Sequence, residues 1–225
     1  MSKHDEYLAL ASERYHDQFV ARENVGHWAV SAGRNYLARH GLRTPYQCRD
    51  GRWLVNKYQF GVVINPLSED KRFEGWLCIP YMTELGCRAI RFRNLKDEGP
   101  KIGQHKGQRV RIYNPDAYFQ ADQVIGIAEG EIDAIAATEG LGLPTVGIPG
   151  STQWGKKANI WKPTFKNYQR VLILADGDTD GKKLAEIIVE SLGHKAKVIK
   201  MPAGEDVSSM LVQGRASQLT KQFKD

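Results

Sequence analysis

The stretch VLILADGDTDGKKLAEII, residues 171–188, joins a run of apolar residues to a helical pattern through three aspartates. Asp176, Asp178 and Asp180 follow an apolar run that has the length and composition of a buried strand. Three kinds of site contain acidic residues in such a pattern: a calcium loop, the aspartate nucleophile of a phosphatase, and a magnesium site at the end of a strand. The rest of the chain decides between them.

A calcium loop of the EF-hand type requires a glutamate at its twelfth position and a helix before its first aspartate. Counted from Asp176, the twelfth position is Ile187, and a β-type run precedes the loop. The phosphatase alternative fits better, since a strand ending in D-x-D-x-T would place a nucleophile and an acid–base group. That motif normally opens its domain, whereas 175 residues precede Asp176, and the downstream lysine and acidic pair are not obvious.

From residue 124 the chain alternates apolar runs with helical patterns, which predicts a parallel sheet covered on both faces. The predicted strands are VIGIA, TVGIP, VLILA and AKVIKMP, and the predicted helices are EGEIDAIAATEGLG, GKKLAEIIVESLG and DVSSMLVQG. Helical spacing near the N-terminus gives way, over residues 52–113, to the β-type runs FGVVI, GWLCIPY, CRAIRF and RVRIY. We therefore predict a mixed α/β protein, with a basic α+β subdomain over 1–120 and a domain of mainly parallel strands over 121–225.

Carboxylates follow several of these predicted strands. Glu129 ends VIGIA, Gly130 allows a tight turn into the next helix, and Asp206 follows the fourth strand. Ligands of open α/β sheets bind at the carboxyl ends of the strands, so these acids should converge with Asp176 and Asp178 on one edge. Oxygen ligands of this kind suit Mg²⁺ or Mn²⁺ and phosphoryl transfer.

Other polar residues of the same loops have less specific interpretations. Asp180 is best explained as a charge in the first turn of a helix, where it favours the helix dipole. Asp133, one turn into its helix, would either contact the metal or orient the glutamate that ends VIGIA, or a basic residue. Gly150 and Ser151 end the second strand, where they either help to bind phosphate or only form a turn.

Positive charge is concentrated in one part of the chain. The formal net charge is +6, from 32 Lys and Arg against 26 Asp and Glu, and residues 86–111 contain eight of those cations beside only Asp97 and Glu98. These cations are Arg88, Arg91, Arg93, Lys96, Lys101, Lys106, Arg109 and Arg111. A solvated strand face would explain them, but their density favours a polyanionic partner. Among the tryptophans, which are more often core residues, Trp154 is the candidate for stacking on a base.

Composition excludes several other classes of protein. No apolar run reaches the 18 residues of a membrane span, so no membrane partner is expected, and the start MSKHDEYLAL lacks the apolar segment of a signal peptide. The three cysteines form no C-x-x-C pair and are odd in number, which argues against a zinc ribbon or a disulfide framework. A reducing cytoplasm is the expected location.

The ordered motifs resemble a known domain. Three motifs in order resemble the Toprim domain of bacterial-type primases, topoisomerases and some nucleases. They are E-G-x-x-D from Glu129 to Asp133, D-x-D at Asp176 and Asp178, and P-x-G-E-D ending at Asp206. Four further segments resemble the RNA-polymerase core of bacterial-type replicative primases. They are GWLCIPYMTELGCRAIRFRNL, PKI, HKGQRVRIYN and GRNYLARHGL. EGEIDAIAA is similar to the Toprim part of phage-type primase–helicases, so a minimal, phage-like primase core is expected.

This resemblance implies a DNA primase that makes short RNA primers from NTPs on a single-stranded DNA template, with Mg²⁺ or Mn²⁺ and without zinc. It implies that Glu129, Asp176 and Asp178 are catalytic and metal-binding, and that Asp206 is a further metal ligand. It also implies that the basic residues hold template or nucleotide phosphates. In the family pattern these are Arg93 and Lys101, with Arg88, Arg91, Lys106, Arg109 and Arg111 beside them.

The sequence also departs from that family. Ser208 stands where many relatives have an acidic residue, and Asp180 where a small residue is usual. No Cys/His zinc module and no helicase-binding domain is recognised, so we expect a separate helicase or zinc-module partner, in the host cytoplasm if the protein is phage-encoded. Two alternatives stay open: a Toprim nuclease with water as the attacking group, and a non-catalytic adaptor that binds single-stranded DNA during replication.

Overall fold

A computed structural model of the chain describes residues 2–43 and 46–223. The chain divides into two compact units, residues 1–109 and 110–225. Residues 110–120, which we assigned to the first domain, lie in the second unit, and the functional domain boundary stays a prediction. Among the helices that the structure describes, none is both long enough and apolar enough to cross a membrane.

The first unit places helices against an antiparallel sheet. Its helices are α1 (Lys3–Val20), α2 (Trp28–Arg39) and α3 (Leu54–Lys57), and its strands are β1 (Gly61–Val62), β2 (Leu77–Thr83), β3 (Gly86–Arg93) and β4 (Ile102–Gly103). The strands pair in the order β1-β2-β3-β4. Helix α1 buries Leu8, Ala11 and Tyr15, which are spaced along one helical face, in a core with Ile90 and Phe92 of β3.

The predicted strand RVRIY, residues 109–113, is wrong. Of these residues only Tyr113 pairs as a strand would, in an isolated bridge to Gly147. Val110 and Ile112 instead pack against the core of the second unit. The alternation of arginine with apolar residues in RVRIY therefore arises because the apolar side chains pack on the core, although the segment is not a strand. The strand that completes the first sheet is β4, two residues long, which pairs with the end of β3.

The second unit contains a four-stranded sheet in the order β6-β5-β7-β8, with every pair parallel. Its strands are β5 (Val124–Glu129), β6 (Thr145–Ile148), β7 (Arg170–Leu174) and β8 (Ala196–Val198), and its helices are α4 (Ala117–Gln120), α5 (Glu131–Ala136), α6 (Ser151–Trp161), α7 (Thr179–Leu192), α8 (Val207–Val212) and α9 (Ala216–Thr220). The residues of β7 from Val171 to Leu174 are fully buried, as expected for a central strand of a parallel sheet. The predicted mixed α/β fold is confirmed.

Helix α6 is the longest element of the second unit that the sequence analysis missed. Its sequence, STQWGKKANIW, buries only Trp154 and Trp161, which lie seven residues apart on one side of an otherwise polar helix. Trp154 is fully buried, contacts Trp161 and Phe165, and donates its indole N–H to Ser191 Oγ at 3.1 Å. Our interpretation of Trp154 as a base-stacking residue is therefore wrong.

Candidate active site on the carboxyl edge of the parallel sheet

The acidic residues of the second unit lie where two central strands end. Strands β5 and β7 are parallel neighbours, with Ala128 opposite Leu174. Glu129 is the last residue of β5, and Asp176 comes two residues after the end of β7. Because paired parallel strands end on the same side of a sheet, the fold brings both acids to its carboxyl edge, as the motif spacing predicted.

Two loops at this edge are joined by backbone hydrogen bonds. The N–H of Gly177 donates to Glu205 O at 2.8 Å, and the N–H of Gly204 donates to Gly177 O at 3.0 Å. A Cβ at position 177 would lie 1.9 Å from Pro202 O, so only glycine allows this approach. The contact fixes the loop that contains Asp176 against the loop that leads to Asp206.

Asp178 and Asp180 both lie at the start of α7 but have different surroundings. Asp178 is the N-cap residue, and its Oδ1 accepts the N–H of Gly181 at 2.8 Å. Asp180 lies in the first turn, has 74% of its side chain exposed, and pairs with Lys183 at 3.2 Å. This placement matches the interpretation of Asp180 as a charge at a helix start.

Asp206 and Asp133 surround Ser208 from two sides. Asp206 is the N-cap of α8, and its Oδ1 accepts from Ser209 N at 2.6 Å and Ser208 Oγ at 2.9 Å. Asp133, on α5, accepts the N–H of Ser208 at 2.8 Å. Burial, and then the charge of Asp206, raise the pKa of Asp133 well above its usual range. Asp133 therefore orients the start of α8, a contact that the sequence analysis did not foresee.

Mutual repulsion shows that the acids of this edge are close together. Burial raises the pKa of Asp176 to about 7, and the charges of Glu129, Asp206 and Asp178 add to the shift. Burial, and then the charges of Asp178 and Asp180, raise the pKa of Glu129. Each charge disfavours ionisation of its neighbours, and among residues 2–43 and 46–223 no cationic side chain is a cause of either shift.

Two carboxylate oxygens of this cluster lack partners. Glu129 Oε2 and Asp176 Oδ1 are buried and accept no hydrogen bond from any residue that the structure describes. A cation would satisfy both oxygens and reverse the repulsion, so the donor set fits Mg²⁺ or Mn²⁺. Across residues 2–43 and 46–223, no three His, Cys, Asp or Glu side chains are arranged to hold an ion by themselves. The unpartnered oxygens of Glu129 and Asp176 are thus the atoms of this cluster that a bound cation would contact.

Glycines surround the predicted catalytic glutamate. Gly130, directly after Glu129, has a φ of 93°, and Gly150, which precedes α6, has a φ of 86°. A Cβ at position 150 would lie 3.9 Å from Glu129 Oε1. Gly150 and Ser151 therefore lie beside the acidic cluster, at the end of β6. Their role in phosphate binding stays a prediction.

The predicted basic residues have unequal surroundings, and all of them except Arg111 lie in the first unit. Arg88, Arg91 and Arg93 lie on β3; Arg88 pairs with Asp5 at 3.4 Å, and the guanidinium of Arg93 lies 5.1 Å from the ring centre of Tyr36. Outside regular strands and helices, Lys101, Lys106 and Arg109 are exposed and Arg111 is half-buried. Their part in binding nucleic acid stays a prediction.

The first unit contains a buried polar network that the sequence analysis did not predict. Asp70 is fully buried, and its Oδ2 accepts hydrogen bonds of 2.5 Å from the hydroxyls of Tyr7 and Tyr15. Its Oδ1 lies 2.7 Å from His105 Nε2, but the two groups are not aligned as a hydrogen bond. We interpreted His105 as part of the basic segment. No short motif links residues so far apart in the chain, so the sequence carried no pattern that reveals this network.

Comparison with known proteins agrees with the motif analysis. A family described as Toprim-like matches residues 126–211, which include every acidic residue of the edge. The gene 57 protein of Mycobacterium phage D29 is 41% identical in an alignment of 159 residues that covers 66% of this chain and 99% of that protein. The chain belongs to the Toprim-containing protein family. Residues 110–225 are called the Toprim unit below.

Solved structures extend the likeness of this Toprim-containing protein beyond its Toprim unit. The Escherichia coli primase catalytic core aligns over 99% of this chain and 80% of its own, with a TM-score of 0.72 and 15% identity. The RNA polymerase domain of Mycobacterium tuberculosis primase DnaG, solved with a double-stranded DNA oligomer with a 6-nucleotide overhang, aligns over 97% and 78%, with a TM-score of 0.73 and 15% identity. Both units together thus have the fold of a primase catalytic core.

Proposed function

We propose that this protein is a DNA primase, a nucleotidyltransferase that makes short RNA primers from NTPs on single-stranded DNA. The observation that carries the proposal is the open cluster of carboxylates in a chain with the fold of a primase core. The unpartnered oxygens of Glu129 and Asp176 supply negative charge that no cation of the described part of the chain offsets. Such a site is suited to a metal that is bound together with the triphosphate of a substrate.

In the proposed reaction, the 3′-hydroxyl of one nucleotide attacks the α-phosphorus of the next. A new P–O bond forms, the bond to the pyrophosphate oxygen breaks, and the hydroxyl proton must leave. Glu129 is assigned as the group that accepts this proton, because burial and neighbouring acids favour its protonated form. Asp176 and Asp178 would hold Mg²⁺ or Mn²⁺, with Asp206 as a further ligand. The bound ion would neutralise the triphosphate and the charge that develops on pyrophosphate.

Asp206 must serve two purposes in this proposal. Its Oδ1 already accepts the N–H of Ser209 at the start of α8, so its second oxygen is the one assigned to the ion. Asp178 has the same arrangement, since its Oδ1 accepts from Gly181 N. Each cap fixes the orientation of a carboxylate before an ion binds, which reduces the entropy lost on binding.

The proposed template is single-stranded DNA, held by the basic residues of the first unit. Arg93 and Lys101 are assigned to phosphates, with Arg91, Lys106 and Arg109 beside them. Support comes from the density of cations in the sequence and from the M. tuberculosis relative, which was solved with DNA. Backbone contacts of this kind bind without reading the sequence, and their affinity falls as salt rises.

The test is primer synthesis with single-stranded DNA, labelled ribonucleotides, and Mg²⁺ or Mn²⁺. We expect short RNA products from the wild-type protein, and a loss of about 100-fold or more in Asp176→Asn and Asp178→Asn, because several kcal/mol of charge stabilisation disappear. Asp122→Asn is the matched control, since Asp122 is exposed and precedes β5 at the opposite end of the strand. It should retain wild-type synthesis.

Other outcomes would point to the alternative functions. Shortened DNA in the absence of ribonucleotides, lost in the same two variants, would identify a Toprim nuclease. DNA binding without any product, unchanged by metal and by both substitutions, would identify a non-catalytic adaptor. Equal synthesis by the wild type and Asp176→Asn would contradict the assignment of the acidic edge.

The basic residues are tested by the salt dependence of DNA binding. Arg93→Ala and Lys101→Ala should each weaken binding and lower the slope of log K against log salt by about 0.7 for single-stranded DNA, the value for one lost phosphate contact. Arg22→Ala, an exposed arginine outside the basic segment, is the control. An unchanged slope in both test variants would remove these residues from the template site.

A further inference from the structure

One exposed tryptophan of the first unit is held in place beneath a lysine. Trp28, the first residue of α2, is 46% exposed, and Lys96 Nζ lies 5.4 Å from the centre of its ring. A Cβ at position 75 would lie 2.4 Å from Trp28 Cη2, and Gly75 has a φ of 83°. Glycine at this position thus allows the indole edge to pack on the backbone, which restricts the ring while much of its surface remains in solvent.

The loop that carries Lys96 is also ordered by its own hydrogen bonds. The side chain of Asn94 accepts the N–H of Lys96 at 2.9 Å and donates to Glu98 O at 2.7 Å and Pro100 O at 3.2 Å. These bonds close the turn between β3 and β4 and present Lys96 toward the indole. The pair is therefore arranged before any ligand binds, which lowers the entropic cost of binding.

A second pair of this kind lies further along the same helix. The guanidinium of Arg93 lies over Tyr36, and Arg93 Nε is buried with no hydrogen-bond partner among the residues that the structure describes. Trp28 and Tyr36 are eight residues apart, so their backbone positions are separated by about 12 Å along the helix axis and by about 80° around it. That distance corresponds to about three stacked nucleotides. Two cation–aromatic pairs thus lie along one helix at a spacing that suits a short single strand.

We propose that Trp28 and Lys96 form a stacking site for an unpaired base of single-stranded nucleic acid, with the neighbouring Arg93 contacting the strand. Aromatic rings beside cations are the usual means of binding single strands without sequence preference. Asp97 and Glu98 follow Lys96 and offset its charge, so stacking on Trp28 makes the larger contribution. A duplex has no unpaired base to offer, so the site selects single strands. The proposal deepens the proposed function, because it assigns one contact of the template.

Binding of a fluorescent single-stranded oligonucleotide to the full chain tests this site. Trp28→Leu, which retains apolar packing on Gly75 but removes the ring, should weaken binding about tenfold, within the range for one stacked base. Trp28→Phe should recover much of that loss. Trp53→Leu is the matched control, since Trp53 is similarly exposed at 51% and should bind like the wild type. Equal losses in Trp28→Leu and Trp53→Leu would overturn the proposal.

Two further measurements separate stacking from charge. The salt slope should be unchanged in Trp28→Leu and lower by about 0.7 in Lys96→Gln. On an oligonucleotide without bases, the wild type and Trp28→Leu should bind equally; a tenfold difference there would show that Trp28 acts only through structure. The proposed primase activity is assayed separately. If the protein makes no primer but shows the expected binding changes, only the proposed primase function is refuted. If it makes primers but does not show those binding changes, only the stacking site is refuted.

Discussion

Two buried aspartates, one in each unit, have opposite surroundings. Asp70 has the hydroxyls of Tyr7 and Tyr15 and the ring of His105 within hydrogen-bond distance. Burial alone would raise the pKa of Asp70, but these contacts outweigh it and lower that pKa below its usual value. Asp176 has other carboxylates as its charged neighbours, and its pKa rises to about 7. The anionic form of a buried aspartate is thus favoured by its surroundings in the first unit and disfavoured by them in the second.

The difference separates a structural acid from a functional one. A buried carboxylate surrounded by donors is satisfied within the protein and stabilises the fold that surrounds it. A buried carboxylate surrounded by other carboxylates lowers the stability of the free protein, and the cost is recovered only when a cation binds. The first kind should matter for folding and the second for activity. Four predictions test that distinction, in order of decreasing effect.

Removal of the structural acid should have the largest effect on stability. Asp70→Ala leaves two tyrosine hydroxyls and His105 without their partner, and should lower the free energy of unfolding by about 3 kcal/mol. Urea denaturation at pH 7 measures the loss. Glu69→Ala is the matched control, because Glu69 is exposed next to Asp70 and should unfold like the wild type. A loss in Asp70→Ala no greater than in this control would contradict the structural role.

Added metal should stabilise the protein through the functional acid. At a Mg²⁺ concentration 100 times the dissociation constant, the free energy of unfolding should rise by about 2.7 kcal/mol. The rise should be absent in Asp176→Asn and unchanged in Asp122→Asn, as measured by thermal unfolding with and without EDTA. If Asp176→Asn gains as much as the wild type, the ion binds elsewhere.

Neutralisation of the functional acid should stabilise the metal-free protein. The pKa of Asp176 is about 7 when folded, against a usual value of 3.8. Ionisation of Asp176 therefore lowers the free energy of unfolding. This loss is absent below pH 4 and complete above pH 7. Asp176→Asn should be about 1–2 kcal/mol more stable than the wild type at pH 8, with the gain shrinking as the pH falls toward 4. Destabilisation by this variant at pH 8 would show that the repulsion is compensated.

The smallest effect is expected for one donor to Asp70. Tyr7→Phe removes a single hydroxyl and should lower the free energy of unfolding by about 1 kcal/mol at pH 7. The pKa of Asp70 is lowered in the folded protein, so its contribution is complete above the usual value of 3.8 and is lost as the pH falls further. With one donor missing, that pKa should rise and acid unfolding should begin at a higher pH. An unchanged acid transition would remove Tyr7 from the network.

The fold of the Toprim unit could be predicted well because its information is local. Each central strand is a continuous apolar run, and each functional acid lies directly after such a run, as Glu129 follows β5 and Asp176 follows β7. Parallel pairing then brings those acids together without further information. Helix α6 was missed because its two buried tryptophans are seven residues apart in a polar segment. RVRIY was misassigned because alternation does not specify whether a neighbouring strand exists.

The first unit shows where sequence analysis fails. The network joins Asp70 to tyrosines 55 and 63 positions away, and it joins Tyr7 to His105, which is 98 positions away. Tyrosine, aspartate and histidine at such separations form no motif, and only the packing of α1 on the sheet brings them together. Trp28 and Lys96 are a similar case, since the tryptophan singled out from sequence, Trp154, proved to be buried. Motifs thus revealed the acidic site, because its residues directly follow strands. The contacts of Asp70 and of Trp28 depend on tertiary packing, which the sequence does not show.

The pair of hydrogen bonds between Gly177 and the Pro202–Asp206 loop has a consequence for anyone who redesigns this protein. Because Gly177 both donates to and accepts from that loop, neither loop can be lengthened without shifting the other. An insertion in one of them would misplace acids that are almost 30 residues away along the chain. Grafts from related proteins should therefore exchange both loops together, as one cassette.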